Sequence, residues 1–309
     1  MDVESQPWLV CVAAAIATGA AAVTGGFLAR GSTAVPAAVW ALIAAASFGM
    51  EAVWRTCGGL QDQATADGWR LVVAALSLCP IMSVLGGKRP QHGVWQFIVA
   101  TLAGVIALPA ASAALVRPGS PPDVHPLQRW LMLMVVLVAG MNYAATSRAA
   151  AVGLVVVGQA MLLRRWLPFG DASSPSPWFD AAAACLVAGG ATLAAVQSFV
   201  VPVRRRPAAV ADRHEGGDPA ADLSAAFMAL RETLGVAWSL RISERFNAVA
   251  MERGWPCRLG HDGMHVDPAT ADAAWRDDAV RTGRALLRRF VTPGWMRRHV
   301  ARTGERPPN

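Results

Sequence analysis

Few residues in this chain are equipped for chemistry, and their spacing limits what they could do. Glu51 is the one acid inside an apolar run, and Arg55 follows it by one helical turn. A carboxylate and a guanidinium four residues apart pair on a helix surface, whereas an unpaired carboxylate at that depth would serve as a proton or cation site. The ion pair, placed at a membrane interface, is the favoured reading. Gln159, near the middle of another apolar run, is the most deeply placed strong polar side chain, and hydrogen bonding to a neighbouring helix accounts for it. Glu51 and Gln159 are together the candidate intramembrane polar site.

The second half of the chain offers Cys257-x3-His261-x3-His265. Thiolate and imidazole suit zinc, but the spacing matches no standard zinc module and lacks a fourth ligand, so a turn carrying surface histidines is expected and no metal. Arg204, Arg205 and Arg206 directly follow the last apolar run, while Arg281, Arg284 and Arg288 recur at helical spacing. These six arginines are the candidate contacts to lipid headgroups, since basic clusters beside a membrane are drawn to anionic lipid by about 1 kcal/mol per charge. Residues 281 to 306 hold eight arginines against one acid, Glu305. No nucleic-acid module accompanies them, so membrane lipids are the expected partner and nucleic acid is not. The loop Lys88-Arg89-Pro90-Gln91-His92-Gly93 is also basic and reads as a topology signal.

Several chemistries are excluded. The only lysine, Lys88, lies in a loop, so a retinal Schiff base has no partner in the apolar runs. No histidine lies within a run either, which leaves haem without axial ligands. The signatures of zinc proteolysis, serine hydrolysis and phosphate-loop nucleotide binding are absent. The five cysteines form no C-x-x-C pair and indicate no disulfide framework. No cofactor is expected.

The elements that must position these residues follow from composition. At 54% hydrophobic and 16% charged, with a mean hydropathy of +0.36, the chain is too apolar for a soluble domain of its length. Residues 1 to 201 hold 10 of the 28 Lys and Arg and 8 of the 21 Asp and Glu, so the charge is concentrated in the remainder. Seven stretches of membrane-spanning length appear: 8 to 29, 34 to 54, 70 to 87, 94 to 116, 130 to 146, 149 to 167 and 178 to 201. Tryptophans 8, 69, 95, 130 and 178 begin stretches and 54 and 166 end them, forming an aromatic belt. The run from 130 to 167 is nearly twice the hydrocarbon thickness and must turn near Asn142, Tyr143, Thr146, Ser147 and Arg148.

Small residues at four-residue spacing, Ala17, Ala21 and Gly25 in the first stretch and Ala181, Cys185 and Gly189 in the last, predict close helix packing. Pro80 and Pro109 interrupt two stretches. Basic residues near the ends favour an external N-terminus and a cytoplasmic C-terminus.

Beyond a linker, Asp218-Pro219 opens a long helix over 222 to 252 with an apolar stripe from Leu223 to Val249, ended by Gly254. That stripe must be covered by the rest of the tail or by a second copy or another protein. A hairpin around residues 260 to 263 and two further helices complete the tail. The expected fold is therefore all-α: a polytopic bundle of about seven spans (1–201), a basic juxtamembrane segment and linker (202–220) and a small, mainly helical cytoplasmic domain (221–309). The leading functional expectation is a non-enzymatic scaffold or signalling protein of the cell membrane. A transporter or channel-like protein for a small solute is the alternative, and an intramembrane enzyme built on His92, Arg55 and Glu51 is the third.

Overall fold

A computed structural model describes residues 5–60, 62–89, 91–170, 176–204, 219–266 and 274–304. Proline sets many of the helix starts, because its fixed φ suits the first turn and its missing N–H is unneeded there. Six helices begin this way: α1 (Gln6–Leu28), α2 (Val35–Thr56), α5 (Pro126–Tyr143), α7 (Pro177–Arg204), α8 (Pro219–Leu234) and α11 (Pro293–Gly304). The others are α3 (Gln63–Leu85), α4 (His92–Val116), α6 (Ala149–Leu163), α9 (Val236–Glu252) and α10 (Ala274–Leu287). A short 3-10 turn, Arg164–Trp166, extends α6. The only sheet among the described residues is the hairpin β1 (Cys257–Gly260) and β2 (Gly263–Val266), so the fold is all-α. Six helices, α1 to α4, α6 and α7, are long and apolar enough to cross a membrane; α5, at 18 residues, is not among them.

Two differences from the sequence reading matter. Helix α3 starts at Gln63 rather than near residue 70, because Asp62 accepts hydrogen bonds from the Ala64 and Thr65 N–H groups as its N-cap. The Thr65 hydroxyl and N–H hold the Asp62 carboxyl below the usual carboxylate range. Arg70 thereby moves from the edge of the expected stretch into the interior of the helix. The long helix over 222 to 252 is two helices, broken at Gly235, whose φ of +84° no bulkier residue adopts readily.

Helices α1, α2, α3, α6 and α7 form a ring, with α4 and α5 packed outside α3. Helix α3 is the centre: 56% of its apolar window is buried, against at most 33% in any other candidate span. Pairs within the ring approach closely through small residues. A Cβ on Gly49 would sit 3.2 Å from Ala15, one on Gly158 2.6 Å from the Ala183 carbonyl, and one on Gly190 2.5 Å from the Ala151 carbonyl. The expected stripes hold only in part: Ala181 is buried, but Gly25 and Gly189 have nothing within 4 Å of a built Cβ, while Gly26 and Gly190 make the contacts. With alanine and glycine on several faces, spacing alone does not select the face.

At Pro109 the interior proline is answered by a side chain from a neighbouring helix. Pro109 has no N–H for the Val105 carbonyl, and Gln128 of α5 donates to that oxygen instead at 2.8 Å. Gln159 of α6 donates to the Ser77 carbonyl and hydroxyl, at 2.9 and 3.1 Å, in the turn preceding Pro80. The C-terminal carbonyls of α3 are capped by indoles: Trp95 donates to Met82 at 2.8 Å and Trp238 to Val84 at 2.9 Å.

The C-terminal helices bury the apolar stripe of α8 and α9 against their own chain. Phe227, Leu230, Leu234 and Phe246 are at most 1% exposed and share a core with Leu259, Leu287, Phe290 and Trp295, joined by Ala34 and Val84 from the bundle. Three turns of the bundle meet these helices. Thr33 donates to Phe290 and Thr292 to Gly31, as a bridge between the α1–α2 turn and the end of α10. Arg89, in the α3–α4 turn, donates to Arg289. Ser147, in the α5–α6 turn, donates to Glu232 through both its N–H and its hydroxyl.

Candidate functional site

The ring borders a partly open cavity of about 390 Å³, lined by α1, α2, α3, α6, α7 and the end of α5. Alanine is the commonest residue in its wall, from Ala14 and Ala15 on α1 through Ala41 and Ala45 on α2 to Ala184 and Ala191 on α7, and methyl groups do not reach across the ring. One end is closed by Arg70 and Phe48, and the other by Val84, Tyr143 and Arg148.

The Arg70 end is an ion-pair network. Glu51 is fully buried, and the Arg70 Nε–H lies 2.7 and 2.8 Å from its two carboxylate oxygens. Arg55 donates to Glu51 at 3.0 Å, and Arg70 donates from its other edge to Asp180 at 3.1 Å. Two guanidiniums thus face two carboxylates from α2, α3 and α7, with no net charge. Asp180, in the first turn of α7, also faces the positive end of that helix dipole. Trp8 covers Arg55 at 4.8 Å and Phe48 flanks Arg70 at 5.6 Å. A second pair, Arg165 with Asp67, lies nearby, Asp67 also accepting from Gln63. The expected Glu51–Arg55 pair is present, and Glu51 is bound in addition by Arg70, with the shorter distance. Sequence reading missed Arg70 and Asp180; the N-cap at Asp62 was the signal that put Arg70 inside a helix.

The middle of the cavity is chemically quiet. Thr18 donates to the Ala14 carbonyl, Ser77 to Ala74, and the Gln159 amide to Ser77. Each of these polar groups has a partner within the helices, which leaves alanine, valine and leucine surface.

The Tyr143 end is tied to the C-terminal helices. Asn142 donates to the Leu234 carbonyl and accepts from the Ala237 N–H, both at 3.0 Å, clamping the break at Gly235. A Cβ on Gly235 would lie 2.2 Å from the Asn142 amide. Tyr143 donates its hydroxyl to Thr233 at 3.1 Å. Arg148 donates to the Ser198 hydroxyl at 2.9 Å.

The remaining candidates separate. His92 begins α4 beside the α3–α4 turn, at the C-terminal-helix end of the bundle, whereas Glu51 and Arg55 lie in the last turns of α2, beside the α2–α3 turn. In the hairpin Arg258 faces His265 across the strands while Cys257 faces Val266, which puts Cys257 and His265 on opposite faces. His265 instead pairs with Asp262 at 2.7 Å, holding that carboxyl below its usual range. Burial pushes the Cys257 thiol up to about 11. No metal-ligating group of three occurs among the described residues. Arg281, Arg284 and Arg288 are exposed at the end of the chain that docks on the bundle turns. Arg205 and Arg206 lie outside the described residues, as does the Arg204 side chain.

Comparison with family models, curated proteins and solved structures finds no match. The long apolar helices identify a membrane protein.

Proposed function

We propose a non-enzymatic signalling protein of the cell membrane, in which the bundle cavity takes a ligand and the C-terminal helices, as a cytoplasmic domain, carry the output. One observation carries the reading: Tyr143 and Val84 both line the cavity and bind the C-terminal helices, through Thr233 and Trp238. A change in the cavity that moves these two groups would reach the α8–α9 break directly. The turns α1–α2, α3–α4 and α5–α6 all meet the C-terminal helices, which supports seven crossings with the N-terminus outside. Arg281, Arg284 and Arg288, with Arg204 to Arg206, then face anionic headgroups of the inner leaflet. The buried stripe of α8 and α9 favours docking within one chain over a dimer through that stripe.

The test is hydrogen exchange over residues 231–238 in nanodiscs, comparing the wild type with Ala191→Phe, which fills the cavity. Exchange there is expected to change by tenfold or more. Unchanged exchange in a variant with intact helix content would remove the coupling.

The transporter reading draws on the same cavity, with Pro80 in its wall and an ion-pair network at one end. It loses its basis if Glu51→Gln and Gln159→Leu leave ion fluxes in reconstituted vesicles unchanged.

A further inference from the structure

The two ends of the cavity differ in charge, and the difference defines a ligand. Arg70 is committed to Glu51 and Asp180. Arg148 lines the other end and, among the described residues, has no carboxylate within ion-pair distance, its side-chain partner being the neutral Ser198 hydroxyl. A guanidinium carries five N–H donors, so most of those on Arg148 are open to an acceptor. A guanidinium that lines a cavity and has no carboxylate within ion-pair distance can pair there with an anionic group. Between the two ends the wall is apolar, because Thr18, Ser77 and Gln159 spend their donors on helix carbonyls and on one another. A hydrated solute would find no partners there, whereas a hydrocarbon chain would.

We propose that the cavity binds an amphiphile with one anionic headgroup and one long alkyl chain. The headgroup pairs with Arg148 and the chain runs along the alanine wall toward Phe48. From Arg148 to Leu162, both in the wall, is about 21 Å along α6 at 1.5 Å per residue, which suits a long chain rather than a short acid. The volume of about 390 Å³ lies at the small end of the range of roughly 300–1,000 Å³ for ligand pockets, which favours one chain over two. The charge of Arg148 selects against a cation of equal length. This rests on the signalling reading for its consequence but not for its chemistry.

The probe is radiolabelled hexadecanoate, titrated onto the full chain in phosphatidylcholine nanodiscs, with hexadecyl phosphate, hexadecyltrimethylammonium and octanoate as competitors. Saturable one-to-one binding is expected, displaced by hexadecyl phosphate, weakly by octanoate and not by the cation. Preference between the carboxylate and the phosphate identifies the headgroup. Arg148→Gln is expected to weaken binding by about 10- to 100-fold, the loss of a charged hydrogen bond, and Arg148→Lys to recover most of it. The proposal is overturned if no saturable binding occurs, if the cation competes as well as the anions, or if Arg148→Gln binds like the wild type. Binding without a change in exchange at 231–238 upholds the ligand and defeats the signalling reading. A cavity-filling effect on exchange without hexadecanoate binding does the reverse.

Discussion

Glu51 accepts three guanidinium hydrogen bonds with none of its surface exposed, an arrangement that ties α2 to α3. Removing one partner of a buried ion pair leaves the other uncompensated, at about 3–5 kcal/mol. Glu51→Gln is therefore expected to lower stability by roughly that amount, read from the thermal transition of the purified protein. Arg55→Gln should cost much less than Arg70→Gln, because Arg70 also holds Asp180; equal costs would contradict the network. Asn142 plays a similar part at the other end, where its amide satisfies two backbone groups freed by the break at Gly235. Asn142→Ala leaves both unpaired, and a loss of about 1–3 kcal/mol per group should appear as faster amide exchange at Ala237. Exchange at Ala237 as slow as in the wild type would mean the clamp is not formed.

At the scale of elements, the helix interrupted by Pro109 is repaired by its neighbour. Gln128 caps its own helix, its carbonyl accepting from the His125 N–H, and uses its amide N–H on the Val105 carbonyl of α4. Gln128→Leu is expected to destabilise the protein by about 1–3 kcal/mol, because Val105 then has no donor in a medium without water. Pro109→Ala restores the missing N–H. In that background Gln128→Leu should cost distinctly less, and a double-mutant cycle by thermal unfolding measures the difference. Additive effects would show that the two features are unrelated. Similar logic explains α3, whose last carbonyls depend on Trp95 and Trp238, so that a helix of the bundle is finished by a side chain from the C-terminal helices.

For the whole molecule, the orientation can be read from native cysteines. Cys57 is exposed in the α2–α3 turn, on the opposite end of the bundle from the C-terminal helices, while Cys257 lies among those helices. With the N-terminus outside, a membrane-impermeant maleimide applied to intact cells should label the wild type but not Cys57→Ser. Labelling that survives Cys57→Ser would overturn the orientation. In permeabilised cells Cys257 reacts as thiolate, and its thiol is pushed up to about 11. Its protonated form dominates below that value, so its labelling rate should rise about tenfold per pH unit between pH 7 and 9. A rate that levels off near pH 8.5 would mean the thiol is not buried.

The sequence by itself determined the apolar helices, the turn between α5 and α6 and the helix starts at proline, because hydropathy and proline geometry are local. It also placed Glu51 beside Arg55, since a four-residue spacing is fixed by the helix itself. Tertiary structure decided the rest. Arg70 and Asp180 lie 110 residues apart in the chain and meet only when α3 and α7 line one ring. The break at Gly235 is clamped by Asn142, 93 positions earlier; the glycine inside the stripe from Leu223 to Val249 marked a weak point, but its partner is not legible in the sequence. The cavity is a property of no single helix: alanine reads as packing surface in every stretch, and only the closure of the ring leaves that surface facing empty space with Arg148 at its end.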